Sequence, residues 1–258
     1  MAEGRKPNLS LPQTLSLEGR RALVVGAAMG IGRATAICLA QLGADLVLAD
    51  RSSMDTVCGE IEALGRSATT LLGDLTDESF LQRIIAGGPY YSVAYVAGVF
   101  RGPKGSSPRE SYDFVMDVNV RAPFILGHAL IQQAVPDQGG YMVFIGSSAG
   151  KSGKGRIGTD EEYITYATSK GALHALVRAL ASRGSEKNIL VNGVAPGLVH
   201  TPMREDTAPH SATSTAVSAL GRGADPMELG WPIALLCCPA SSFMSGAVID
   251  VNGGSFVA

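Results

Sequence analysis

Tyr166 and Lys170 stand four residues apart in a stretch whose apolar spacing predicts a helix over residues 166–182, so both side chains share one face and the ammonium can approach the phenol. A free phenol titrates near about 10, too alkaline for efficient proton transfer at neutral pH, and a neighbouring cation favours the phenolate. Tyr and Lys at this spacing also decorate ordinary amphipathic helices. Ser147 sets this pair apart. It follows the apolar run 141–145 at the carboxyl end of a predicted strand, where open α/β sheets place ligands. Ser148, its neighbour, offers the same hydroxyl. A hydroxyl that can hydrogen-bond a substrate oxygen, a phenol that can exchange a proton with it and a nearby cation form an acid–base set suited to interconverting an alcohol and a carbonyl.

A second group of residues points to a dinucleotide. Gly26, Gly30 and Gly32 fall between an apolar run ending at Val25 and a helical pattern over residues 31–42. Glycines there permit a tight turn and close approach of backbone to pyrophosphate, and the helix N-terminus supplies unpaired N–H groups and partial positive charge. Asp50 ends the next apolar run, where a carboxylate can accept hydrogen bonds from ribose hydroxyls. A glycine turn alone, or a carboxylate after a strand alone, is commonplace, and the two together in this order are the dinucleotide signal. Asp74, before Leu75 and Thr76, has two readings: a second cofactor contact or an N-cap.

Positioning these groups requires an alternating scaffold, and the chain supplies one. Strands are predicted at residues 21–25, 44–49, 68–72, 92–96, 141–145, 189–195 and 247–251. Helices lie between them at 31–42, 54–64, 80–86, 112–134 and 166–182, with one more after Pro226. Strands alternating with helices imply parallel pairing and right-handed crossovers. The expected fold class is α/β: a doubly wound, seven-stranded parallel sheet with helices on both faces, as one domain over 17–258 behind a flexible arm at 1–16.

Composition agrees with a buried core and narrows the partners. The 258 residues are 46% hydrophobic and 17% charged, with net charge −2. No broad basic field attracts nucleic acid or an anionic membrane, which favours a small-molecule substrate. The first 16 residues lack the apolar core of a signal peptide, and no run approaches the roughly 20 apolar residues that span a bilayer. Cys38, Cys58, Cys237 and Cys238 show neither metal-ligand nor redox spacing and read as reduced packing residues, so a cytoplasmic protein is expected.

The Gly26, Gly30, Gly32 spacing, the Ala97-Gly98 turn, Asn119, Ser147 with Gly150 three residues on, the Tyr166-Ala167-Thr168-Ser169-Lys170 run, Pro196-Gly197 and the terminal Asp250-Val251-Asn252-Gly253-Gly254 together resemble the short-chain dehydrogenase/reductase family from Gly19 onward. The resemblance implies a Rossmann fold and an NAD-dependent alcohol dehydrogenase or carbonyl reductase. Ser147 would donate a hydrogen bond to the substrate oxygen and Tyr166 would carry the proton. Lys170 would hold the nicotinamide ribose while lowering the tyrosine pKa, and Asn119 would position a water leading from Lys170 to solvent. The implied cofactor contacts are Gly26, Met29, Gly30, Ile31, Gly32, Asp50, Arg51, Asp74, Leu75, Ala97, Gly98, Pro196, Gly197, Val199 and Thr201, besides Tyr166 and Lys170. NAD is expected over NADP because Asp50 would repel a 2′-phosphate, although Arg51 can turn toward one. A homotetramer or homodimer is implied, through the helices at 112–134 and 166–182. Residues 199–220 would form a substrate lid, with His200 and His210 solvated. The alternatives are a carrier-linked 3-ketoacyl reductase and a catalytically silent dinucleotide-binding regulator; the intact Ser147, Tyr166 and Lys170 speak against the latter.

The chain departs from that family at two places. Val25 replaces the usual Thr before the first glycine, and Tyr95-Val96-Ala97-Gly98 replaces Asn-Asn-Ala-Gly, a paired change that suggests apolar packing in place of a polar link. Residues 151–163, KSGKGRIGTDEEY, lengthen the Ser147-to-Tyr166 spacing. The segment reads either as a solvated loop of mutually paired charges or as a flap that brings Lys151, Lys154 or Arg156 onto a small polar or anionic substrate.

Overall fold

The computed structural model describes residues 11–134, 139–153, 159–203 and 218–257. Seven parallel strands form one sheet: β1 (Arg21–Val25), β2 (Asp45–Asp50), β3 (Ala68–Leu72), β4 (Ser92–Tyr95), β5 (Gly140–Ile145), β6 (Ile189–Pro196) and β7 (Val248–Val251), in the spatial order β3-β2-β1-β4-β5-β6-β7. The order reverses after β3, where the chain crosses from one side of β1 to the other. The doubly wound single-domain fold expected from the alternation is the one observed.

Period-two alternation divides the core into two layers. Ala22 and Val24 of β1 with Leu46 and Leu48 of β2 pack on one face, under α2 (Gly30–Gln41) and a late helix at Pro226–Leu236. Leu23 and Val25 with Val47 and Ala49 pack on the other, under helices at Glu78–Ala86, Ala122–Gln132 and Asp160–Gly184. Because both faces are covered, the inner strands read as unbroken apolar runs. β3, at the edge, is the exception and leaves Thr69, Thr70 and Leu72 exposed.

Numbered in chain order, the helices are α1 (Leu11–Leu15), α2, α3 (Asp55–Ala63), α4 (Glu78–Ala86), α5 (Pro108–Met116), α6 (Ala122–Gln132), α7 (Ala149–Ser152), α8 (Asp160–Gly184) and α9 (Pro226–Leu236). The short α7 was not expected, and three further helical regions differ from expectation. Residues 11–15, assigned to a flexible arm, are helical, and the core begins at the buried Leu17. The single helix expected at 112–134 starts earlier, at a Ser107–Glu110 capping box, and is interrupted by a π-helical turn over Asp117–Arg121. Pro123 has no N–H to give the carbonyl of Asn119 four residues back, while the Ala122 N–H reaches five residues back to Asp117. The run Pro108–Gln132 is long and apolar enough by composition to cross a bilayer, but Val115, Val118, Leu126, Leu130 and Ile131 are buried in this fold. Finally, α8 begins at Asp160, not at Tyr166: Thr159 caps it and Glu162 completes a capping box.

Candidate active site

The long helix α8 lies along the end of β5 and presents Tyr166, Lys170 and His174, each four residues from the next, to the turn that follows the strand. Lys170 is 3% exposed and donates from Nζ to the Ile145 carbonyl at 2.8 Å. One turn on, Nε2 of the buried His174 accepts the Ser147 N–H at 3.3 Å. Ser147 Oγ accepts the Ala149 N–H at 3.2 Å, and the serine side chain acts on the Tyr166 phenol, lowering its titration. The three residues selected from the sequence are therefore brought together.

Their electrostatics differ from the expectation in one respect. Burial drops Lys170 to about 8. Tyr166, expected to be acidified by Lys170, stands above its ordinary value because burial raises it more than the Ser147 side chain lowers it. The reason is geometric: the ammonium is 5.8 Å from the tyrosine ring centre and bonds to a main-chain carbonyl.

Asn119, in the π turn, is fully buried. Its Oδ1 accepts the Val99 N–H at 2.8 Å, and Nδ2 donates to the Val99 carbonyl at 2.8 Å and to Ser169 Oγ at 3.0 Å. Both amide hydrogens are thus committed to bracing the loop after β4 against α8. Tyr95 fixes the same turn by donating to the Val118 carbonyl at 2.7 Å.

Beside this cluster opens a cavity of about 580 Å³. Gly26, Met29, Gly30, Ile31 and Gly32 form its floor, Asp50, Arg51, Gly73, Asp74 and Leu75 one end, and Val96–Pro103, Thr201 and Met203 the other wall. The floor suits a pyrophosphate. A Cβ at Gly32 would overlap the Gly26 carbonyl, and one at Gly26 would meet the Ala97 backbone at 2.6 Å. The N-cap of α2 is Met29, which makes no side-chain capping bond. Asp50 accepts Ala28 N–H at 3.0 Å and Ser52 N–H at 2.9 Å, which fixes its carboxylate at the cavity end. Phe100, tilted against the Tyr166 ring at 5.1 Å between centres, and Gly98, beside Lys170, join cavity to cluster. Of the expected cofactor contacts, Pro196, Gly197, Val199, Tyr166 and Lys170 do not line this cavity: Pro196 accepts Ser148 N–H, Gly197 donates to Val251, Val199 packs in the core, and Tyr166 and Lys170 stand behind Phe100 and Gly98.

Comparison with known proteins agrees with this arrangement. The family model described as enoyl-(acyl carrier protein) reductase matches residues 26–255. A 2-dehydro-3-deoxy-D-gluconate 5-dehydrogenase of Pseudoalteromonas atlantica is 31% identical, with 94% of this chain and 98% of the relative covered. A gluconate 5-dehydrogenase of Gluconobacter oxydans is 32% identical, with 95% and 98% covered. The chain belongs to the short-chain dehydrogenase/reductase family. It is an oxidoreductase acting on CH–OH groups. Among solved structures, a 3-oxoacyl-(acyl-carrier-protein) reductase of Agrobacterium tumefaciens with NADP bound superposes with a TM-score of 0.80 at 27% identity, covering 95% of this chain and 98% of its own.

Within this family the chain's departures have structural explanations. Val25 is fully buried in the apolar cluster against which Ala97 packs, as expected, and Val96 and Ala97 both donate their N–H to the Val25 carbonyl at 2.9 Å, so the backbone ties the two turns as well. In the inserted segment, Lys151 lies on α7 and is anchored to Asp250 at 2.8 Å and to the Val248 carbonyl at 2.9 Å. Asp160, Glu161 and Glu162 form the first turn of α8, while Lys154 and Arg156 lie outside the described residues. The same is true of 204–217, most of the expected lid, including His210; His200 is exposed, as expected. The sequence reading missed two site residues. Arg101 lines the cavity next to Phe100 and lies 3.5 Å from Glu162, one helical turn before Tyr166. His174 could have been noticed from its spacing of eight residues after Tyr166.

Proposed function

We propose that this chain interconverts a secondary alcohol and a ketone on a small polar substrate, with NAD(P) as redox partner and NAD preferred. The observation that carries the reading is the convergence of Tyr166, Ser147 and Lys170 beside the dinucleotide-type cavity, whose lining residues Phe100 and Gly98 adjoin Tyr166 and Lys170. When bound, nicotinamide supplies the two-electron acceptor or donor, and Gly26 to Gly32, Asp50 and Thr201 are the residues fitted to hold the dinucleotide. Ser147 orients the substrate oxygen by donating a hydrogen bond. Tyr166 removes the hydroxyl proton in oxidation and returns it in reduction. Lys170 keeps a positive charge on the same helix face, favouring the phenolate as it develops.

Arg101 supports a polar or carboxylated substrate. It lies on the cavity wall one residue from the Phe100 that packs against Tyr166, where a carboxylate could exchange with Glu162 for its guanidinium. The sugar-acid relatives favour the same class. Asp50, at the end of β2, supports NAD because its charge opposes a 2′-phosphate, while the NADP-bound neighbour makes NADP the competing cofactor. Assembly as a homodimer or homotetramer is proposed through the apolar groove between α6 and α8, lined by Met116, Phe124, Ala172, Leu176 and Ala179, where Phe124 is 53% exposed.

The test is a substrate panel of D-gluconate and other aldonic acids, cyclic and aryl alcohols, and acetoacetyl-CoA, each with NAD(H) and NADP(H). Turnover of aldonic acids that disappears in Tyr166→Phe, with NADH binding retained, supports the reading. Turnover of acetoacetyl-CoA alone would replace it with a ketoacyl reductase. Cofactor binding with no turnover of any member would leave a dinucleotide-binding regulator.

A further inference from the structure

We infer that His174 is a positioning residue for the proposed catalytic serine: its imidazole holds the Ser147 main chain, and so aims the Ser147 hydroxyl at Tyr166. This rests on the reading of Ser147 above. Along α8, Tyr166, Lys170 and His174 form one stripe, and the last two grip the same short stretch of chain in opposite senses. Lys170 donates to the carbonyl of Ile145, and His174 accepts the N–H of Ser147 two residues later. Gly146 between them has no room for a side chain, because a Cβ there would overlap His174 Nε2. The ring therefore fills the space above Gly146 and supplies an acceptor. An aliphatic side chain would supply only the bulk.

An acceptor at Nε2 requires a neutral ring with its proton on Nδ1. The surroundings enforce this. His174 faces Lys151 on α7, Lys170 and Arg178 on its own helix, and Asp250 on β7, three cations to one carboxylate, and that carboxylate is ion-paired with Lys151 at 2.8 Å. Burial, followed by these cations, depresses the imidazole to about 4, so it remains an acceptor throughout the neutral range. The Lys151–Asp250 pair at the start of the inserted segment thus gains a role: it keeps a cation, rather than a free carboxylate, beside the ring.

The test needs no substrate. Tyr166 is followed by the pH titration of its ring carbon resonance, assigned by its loss in Tyr166→Phe, in the cofactor-free protein. His174→Leu should raise the Tyr166 titration by about 0.7, the worth of one hydrogen bond, as Ser147→Ala does. His174→Gln, whose carboxamide oxygen can still accept, should leave it near wild type. Adding His174→Leu to Ser147→Ala should give no further rise. A Tyr166 titration unmoved by His174→Leu, or a rise that adds to that of Ser147→Ala, would overturn the inference. Should the Leu variant fail to fold, Lys151→Gln keeps the ring in place. There the His174 titration should climb toward its ordinary value and the Ser147 amide resonance should follow it, and an amide indifferent to that titration refutes the bond. If the substrate panel yields no turnover, these titrations still decide the role of His174.

Discussion

Lys170→Met should change the way stability depends on pH, because the wild-type side chain holds a charge almost out of contact with water. The ammonium is 3% exposed and its titration falls from 10.5 to about 8 on burial. A lowering of that size is worth about 3 kcal/mol between the two protonation states. Below pH 8 both folded and unfolded chains carry the proton, so the cost of burying the charge is fully present. Between about 8 and 10.5 the folded chain gives up the proton while the unfolded chain retains it, so stability due to this group rises with pH. Measured as wild type minus Lys170→Met, the unfolding free energy should therefore rise by about 3 kcal/mol from pH 7 to pH 10.5. At pH 7 the two proteins should be close, since the removed charge cost is offset by loss of the charged hydrogen bond to Ile145, about 1.5–3 kcal/mol. Urea unfolding of both proteins without cofactor at the two pH values measures the gap, and taking the difference cancels the other titrating groups. A gap that stays constant would refute the assignment of Lys170 as a buried charge.

Three further outcomes are expected. Ser147→Ala should lower kcat about 100-fold or more, whereas Ser148→Ala, whose backbone N–H rather than its hydroxyl ties it to Pro196, should stay within a few-fold of wild type; steady-state kinetics of both decide between the two hydroxyls. Gly32→Ala should cost about 1–3 kcal/mol and weaken NADH binding, because the added methyl meets the Gly26 carbonyl; a normal Tm with normal NADH titration would show that the loop yields easily. Asp50→Ala should lower the ratio of kcat/KM for NAD to that for NADP, and a wild-type ratio near one would remove Asp50 as its determinant.

The strands and their succession along the chain were readable because burial on both faces writes itself as apolar runs between turns: β1 and β3 fall where they were expected, β2 is shifted by one residue, and the other strands differ by one residue at one end. The start of α8 was also written in the chain, as Thr159 with Glu162 three residues on, but the glycines at 153, 155 and 158 made the whole segment read as loop. The π turn at Asn119 was harder to foresee. Pro123 signals a missing donor, but whether a helix then breaks, kinks or widens depends on what packs around it, here Tyr95 and Ser169.

What the sequence determined by itself was the alternation of elements, the glycine turn at the head of α2 and the Tyr166–Lys170 spacing, since each is a local pattern of residue types set by helix or strand period. The tertiary structure decided what those residues touch. Lys170 meets the Ile145 carbonyl, His174 the Ser147 N–H, and Val96 and Ala97 the Val25 carbonyl. In each case the partner is a main-chain group that every residue type except proline carries in full, so no letter in the sequence could mark it. Only the folded register of helix against strand brings it into reach.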